Sequence, residues 1–338
     1  WMKGAESLPK GTAEIQELEF ALADAPEKVK QENPDAWFAW DVFQKTLQKL
    51  RMEPVEDYRI DFEDGYGFRT DDEEDFHSIS ASDSLAQLVS ETANETISVP
   101  STGFRIKSFQ PETRHRALRT FDKFLSNLVE KTNGSTPEGF VVTLPKIKHP
   151  VETEALSRLL DDFESANGLN KGAIGIEVLI ETPESIQVMR EIVEGCGGRC
   201  RSVHFGAYDY TSSLGISALH QHIRHEACNF ARNMMQVSLA PIGIRLSDSV
   251  TTELPIPVNR SENLSIQEIA ENRHAVREAW RKHFNNIAHS QTMGFYQSWD
   301  LHPAQLVPRY AAVYAVSYTH LRAHETKTRI SYYGVCVK

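Results

Sequence analysis

Seven short apolar runs of β character recur along the chain, each separated from the next by a stretch with helical spacing or by loop-forming residues. They read YRIDF from Tyr58, GFRIKSF from Gly103, GFVVTLPK from Gly139, IGIEVLIET from Ile174, SVHFGAYD from Ser202, APIGIRLSD from Ala240 and FYQSWD from Phe295. Their near-continuous apolar character predicts strands buried on both faces, the condition of a parallel sheet covered by helices. Between them, Glu112–Lys131, Val151–Asn167 and Ser265–Ala288 carry apolar positions at helical spacing. A ring of eight such strands closes into a barrel, so the prediction is an α/β fold of the (β/α)8 type, lacking its first strand where the sequence begins. Asp71–Thr96 breaks the pattern: DDEEDF and the Ser/Thr-rich run after it predict a solvated surface insertion.

Composition narrows the function classes. The 338 residues hold 36 Lys plus Arg against 47 Asp plus Glu, a net charge of -11, with no long basic block. A nucleic-acid partner, which needs clustered cations facing phosphates, is not expected. No apolar run approaches the roughly 20 residues needed to cross a bilayer, so no membrane partner is expected either. Cys196, Cys200, Cys228 and Cys336 follow no signal peptide and make no disulfide framework, which points to the cytoplasm. Cys196 and Cys200 in EGCGGRCRS lack a second Cys or His pair at zinc spacing and predict a turn with free thiols. The chain divides into a helical N-terminal remainder (1–57), a barrel domain (58–315) and a tail (316–338). After Tyr314 the apolar period is lost, and SYTHLRAHET resembles a translated sequencing adapter, so the tail is expected to be non-native.

Most of the strand candidates end in charged or strongly polar residues: Glu63 and Asp64, Arg105 and Lys107, Lys146, Glu181, Asp209 and Asp248. In an α/β barrel these groups converge on the mouth at the carboxyl ends of the strands. Glu181 and Asp209 lie about one strand-helix repeat apart, with no His or Cys partner at ligand spacing. Such a pair suits a hard, oxygen-loving ion such as Mg²⁺ that keeps waters and takes substrate oxygens. Arg105 offers a planar, permanently charged fork for a substrate carboxylate, and a metal plus an arginine implies an oxo-acid. The histidines of ALHQHIRHEACNF (His220, His222 and His225) lack the spacing of a helical zinc pair and are expected on a surface or loop. Trp299 and Tyr208 flank proposed site residues, as pocket lining or as core.

The ordered set DFEDGY, FRIKS, TLPKI, IETPE, FGAYDY and GFYQSWDLHPAQL across Tyr58–Leu306 resembles the citrate lyase beta subunit, malyl-CoA lyase and HpcH-HpaI aldolase family, TIM barrels of the phosphoenolpyruvate/pyruvate superfamily. The resemblance implies Mg²⁺ held by Glu181 and Asp209, and a substrate carboxylate or carbonyl anchored by Arg105. It places Glu63 and Asp64 where the family positions metal-bound water and substrate. Lys146 joins the catalytic group without being a covalent nucleophile, and Lys107, Gly206, Asp248 and His302 join the substrate-binding positions. The reaction implied makes or breaks a carbon-carbon bond between a 2-oxo or 3-hydroxy acid and a metal-stabilised enolate, with Asp64, Asp248 or His302 as base.

Departures from the family point to an uncharacterised branch. Lys107 stands where the family has an amide, Arg245 is added, and Asp300, Leu301, His302 and Pro303 replace a small residue and IHP. Nothing in the sequence points to CoA binding, although a CoA thioester is compatible with the family, and a homo-oligomer (trimer or hexamer) is implied. Two other readings stand beside the lyase. One is a phosphoryl-transfer enzyme of the same superfamily that uses Lys107 or Arg245 on a phosphate, and the other is a metabolite-binding barrel without turnover.

Overall fold

The seven predicted strands form one parallel sheet in chain order: β1 (Asp57–Asp61), β2 (Ser101–Arg105), β3 (Val141–Leu144), β4 (Gly175–Ile180), β5 (Cys200–Phe205), β6 (Arg245–Asp248) and β7 (Gln297–Ser298). The computed structural model describes residues 11–92 and 101–325. Helices α1 (Thr12–Asp24), α2 (Pro26–Glu32) and α3 (Pro34–Met52) precede the sheet. Between strands lie α4 (Asp71–Thr92), α5 (Arg114–Lys131), α6 (Pro150–Ala166), α7 (Pro183–Gln187), α8 (Met189–Gly195), α9 (Ala207–Ser213), α10 (Glu226–Leu239) and α11 (Ile266–Thr292), and α12 (Leu306–Glu325) closes the order. No helix among the described residues is long and apolar enough to cross a membrane.

The sheet is rolled. In a flat sheet β1 and β4 would lie about 14 Å apart and β2 and β7 about 24 Å apart. Yet Arg59 Nε of β1 donates to Glu177 Oε2 of β4 at 2.9 Å, and the Arg105 guanidinium at the end of β2 lies 5.0 Å from the ring of Trp299, just past β7. Among the described residues no ladder joins β7 to β1, so the expected eight-stranded ring is here a rolled seven-stranded sheet with a seam.

Two compact units carry these elements. The second takes Thr292–Trp299 and the described residues of Glu53–Thr251, and so holds every strand. Outward-facing Phe104, Phe140, Ile176, Val178 and Val203 pack under the helices. Against them α5 turns Ala117, Phe121, Phe124, Leu125 and Leu128 inward at helical spacing, with the Phe104 and Phe124 rings stacked at 4.2 Å. Each fully buried phenyl group contributes about 2 to 3 kcal/mol. The first unit takes Thr252–Gln291 and the described residues of Trp1–Met52 and Asp300–Lys338. Its core joins Val42 of α3, Phe284 and Ile287 of α11, and Ala311, Ala312, Val313 and Ala315 of α12. The helix α12 continues through Val316, where the tail was expected to begin, to Glu325. Residues 326–338 of that tail, with Cys336, lie outside the described residues, as do residues 93–96 of the expected insertion.

Asp71–Thr92 corrects the sequence expectation: this segment is not a solvated insertion but the helix α4, packed on α5. Glu74, Ser78, Ser82, Leu85 and Ala86 form its buried stripe. Composition hid the stripe because serine counts as polar. The Ser78 and Ser82 hydroxyls donate to Asp75 O and Ile79 O within the helix, both at 2.9 Å, and can then be buried. The acidic residues also have partners: Asp75 pairs with Arg116 and Arg119, while Glu74 accepts from Lys107 Nζ at 2.6 Å and Thr120 Oγ1 at 2.7 Å. Since Glu74 and Lys107 are both buried, Glu74→Ala strands an ammonium. It should lower the free energy of urea unfolding by about 3 to 5 kcal/mol, against less than about 0.5 kcal/mol for the exposed Asp72→Ala.

Candidate active site

Register brings the first two groups together. Parallel pairing of β1 with β2 sets Asp61 opposite Arg105, and the guanidinium donates two hydrogen bonds to the carboxylate, Nε to Oδ1 at 2.7 Å and Nη2 to Oδ2 at 2.6 Å. Asp61 also accepts from the backbone N–H groups of Glu63 and Gly65, both at 2.9 Å, and so shapes the turn that follows β1. A Cβ on Gly65 would sit 2.6 Å from Asp61 Oδ2, so a side chain here would push the Asp61 carboxylate aside. The turn aims Glu63 and Asp64 at the Arg105 Nη1, at 3.2 and 3.9 Å. Burial opposes the charge on both Asp61 and Arg105, but their mutual hydrogen bonds and attraction prevail, holding Asp61 below the usual carboxylate range and raising Arg105.

Lys146 follows β3 and Pro145 in the left-handed region, at φ 53°. For a residue with a Cβ this costs on the order of 1 to 2 kcal/mol, and three hydrogen bonds hold the residue there. The backbone N–H donates to Glu181 Oε1, while Nζ donates to Glu63 and, at 2.7 Å, to Asp64. Asp209 lies 3.6 Å from the same ammonium. Burial works against this charge, but the bonds to Asp64 and Glu63 outweigh it and raise the lysine pKa. The two acids separate: burial raises Glu63 despite Arg105 and Lys146, whereas in the more open Asp64 the bond to Lys146 overcomes desolvation and lowers it.

Glu181 stands one residue past β4 with 1% of its surface exposed. Burial first, and then the Asp209 carboxylate, push it up to about 8. Gly206, at the end of β5, makes room for it, because a Cβ there would sit 2.4 Å from Glu181 Oε2. The role visible for Gly206 is this close approach. Asp209 is carried not by the strand end but by the first turn of α9.

The cluster therefore gathers Asp61, Glu63, Asp64, Glu181 and Asp209 around Arg105 and Lys146, five carboxylates facing two side-chain cations. Among the described residues no group of three or more His, Cys, Asp or Glu is arranged to hold a metal by itself. The donor chemistry nevertheless fits a hard divalent cation: oxygen donors only, uncompensated negative charge, and a buried carboxyl raised by a second carboxylate beside it.

Other expected positions lie apart from the cluster. Lys107 and Asp248, expected at the substrate, each have a buried partner inside the protein. Lys107 Nζ donates to Glu74 and, at 2.7 Å, to Phe62 O, and Asp248 accepts from the fully buried Arg232 Nε at 2.9 Å. Arg245 begins β6, at the opposite end of that strand from Asp248, so neither cation proposed for a phosphate reaches the mouth. His302 belongs to the first unit, where Nδ1 accepts from Ala304 N at 3.1 Å and caps a short turn. His225 similarly accepts from Ala227 N at the start of α10, and Cys196, Cys200 and Cys228 are free thiols. Sequence reasoning passed over Asp61, which reads as a strand interior although it precedes the acidic pair in DFED.

The family model described as "Domain of unknown function (DUF6986)" matches residues 5–334. The chain belongs to this DUF6986 family. No curated protein matches it in sequence. Among solved structures, the DUF6986 chain is similar to Haloferax volcanii malate synthase, native at 3 mM glyoxylate, with 16% identity and a TM-score of 0.54 over 76% of this chain and 65% of that one. The magnesium/glyoxylate complex of that enzyme gives 17% identity and a TM-score of 0.50 over 69% and 60%. The chain thus spans less than two thirds of these malate synthases. The citrate lyase beta subunit of M. tuberculosis, complexed with oxaloacetate and magnesium, gives 14% identity and a TM-score of 0.43 over 78% and 99%. The fold of this chain is similar to that of these malate synthases.

Glu181 generates a prediction for pH. Its folded value of about 8 exceeds the ordinary 4.5, so the native state holds an extra proton between those values. The stability it contributes is full below this window and is lost as pH rises through it. In metal-free protein, the urea-unfolding free energy of the wild type should fall relative to Glu181→Gln by a few kcal/mol between about pH 5 and about pH 9.

Proposed function

We propose that this protein is a Mg²⁺-dependent carbon-carbon lyase or aldolase acting on a carboxylated 2-oxo or 3-hydroxy acid. The observation that carries the reading is the convergence of five carboxylates, Arg105 and Lys146 just beyond β1 to β5 of a rolled parallel sheet. We read that sheet as a (β/α)8 barrel lacking one strand at its seam, whose strand ends are where active sites of such barrels lie. The likeness in fold to malate synthase, solved with magnesium and glyoxylate, supports the reading.

Glu181 and Asp209 would hold the ion, leaving its other positions to water and substrate oxygens. Once bound, the ion supplies Lewis-acid polarisation of a substrate carbonyl. Arg105 remains charged and presents its Nη1 edge to the substrate carboxylate, with its Nε and Nη2 edge held by Asp61. Lys146 stays an ammonium, which suits it to orient carboxylates and substrate oxygens and not to attack a carbonyl, since a Schiff base needs the neutral amine. Asp64 is the proton acceptor of the cluster: it is ionised and half exposed, whereas Glu63 beside it is half-buried and raised. Two neighbouring carboxyls with values pushed apart are the pattern of a base and an acid sharing one site.

Calorimetry checks the assignment. Pyruvate, oxaloacetate or glyoxylate should bind only with Mg²⁺ present, and Glu181→Gln and Asp209→Asn should each weaken that binding more than about a hundredfold. Binding indifferent to the ion and to both substitutions would sink the two-carboxylate site.

A further inference from the structure

We infer that Trp299, locked in place by His204, is a positioning residue that fixes the plane of the Arg105 guanidinium. The inference rests on the proposed role of Arg105 as the carboxylate anchor and adds how that anchor is held.

The inside of the rolled sheet is ionic. Glu177 of β4 accepts from Arg59 Nε and Nη2, both at 2.9 Å, from Ser202 Oγ at 2.6 Å and from Thr143 Oγ1 at 3.1 Å. With four hydrogen bonds from three strands it is a rigid anion. His204 of β5 lies above it, with Nε2 3.2 Å from Glu177 Oε2 and 3.2 Å from Ser202 Oγ. The other ring nitrogen, Nδ1, accepts from the indole Nε1 of Trp299 at 3.0 Å. An indole nitrogen only donates, so Nδ1 carries no proton and the Nε2–H tautomer is selected, directed at Glu177.

Each end of this relay is therefore specified. Glu177 sets the imidazole, the imidazole sets the indole, and the indole ring lies 5.0 Å from Arg105 Cζ. The imidazole and indole rings meet edge to face at 5.3 Å. Asp61 holds the Nε and Nη2 side of the guanidinium, and Trp299 covers a face that no carboxylate can then occupy. The Nη1 edge pairs with Glu63 at 3.2 Å and lies 3.9 Å from Asp64, so a substrate carboxylate would take the place of Glu63 there. The relay parallels the outer partners that orient metal-bound histidines.

The test uses the full chain and two readouts. Without ligand, the Nε–H resonance of Arg105 in a ¹⁵N spectrum, identified by its disappearance in Arg105→Lys, should move in Trp299→Leu and in His204→Leu. It should return toward the wild-type position in His204→Gln, whose side-chain carbonyl can accept the indole N–H. With Mg²⁺, pyruvate binding by calorimetry should weaken about tenfold in Trp299→Leu and His204→Leu and recover in His204→Gln. Mg²⁺ binding alone should be unchanged in all three. An Arg105 resonance that stays put in both leucine variants overturns the inference, as does undiminished pyruvate binding. If wild-type protein takes up no oxo-acid with Mg²⁺, the proposed activity fails, and the Arg105 resonance still decides whether Trp299 holds the guanidinium.

Discussion

The ion pair between Arg59 and Glu177 crosses the inside of the rolled sheet, and the geometry of the mouth is referred to it. Burying two charges is costly, and their attraction compensates only when every remaining lone pair is satisfied. Here Thr143, Ser202 and His204 complete the shell around Glu177, and Asp57 adds a second carboxylate to Arg59. Such a pair specifies a register more than it adds stability. Slipping β4 by one residue would turn Glu177 into the helix layer and leave Arg59 with Asp57 alone.

Because side chains alternate along a strand, this inner layer places the next one. Asp61 stands two residues beyond Arg59 on β1, Glu181 four beyond Glu177 past β4, and Gly206 two beyond His204 past β5. Each second residue faces inward again, so the layer above the ion pair is the candidate site. Trp299 bridges the two layers, bonded to His204 below and with Arg105 Cζ over its ring at 5.0 Å above.

In the upper layer charge is left unbalanced. The left-handed Lys146, the close approach at Gly206 and the raised Glu181 all lie in this layer. Local departures of this kind persist only where the surrounding structure holds them, and they gather where a protein binds or reacts. The first unit shows the contrasting case: Asp300 is balanced locally by His283 and Arg309, and its carboxyl is held low despite burial.

The sequence by itself determined the alternation of strand and helix, the parallel order of all seven strands, and which strand ends carry charge. Periodicity and composition are local properties, and the runs beginning at Gly139, Ile174 and Ser202 each lie where a strand forms. It also carried the motif order from which the fold of these relatives follows. Only the tertiary structure decided which charges meet. Lys107 and Arg105 lie two residues apart in the chain, yet one is neutralised by Glu74 under α4 and the other stands at the mouth. Asp248 looks like a mouth carboxylate until Arg232 of α10 reaches it. The stripe of Ser78 and Ser82 reads as solvent-facing until α5 covers it. Asp61 carries no signal as an isolated letter and Trp299 leaves pocket lining and core undecided, because their roles come from a neighbouring strand's register and from a roll that brings β2 against the end of β7. Charge is legible residue by residue, but whether it is compensated depends on what lies within a few ångströms, and that distance is set by packing between elements remote in the chain.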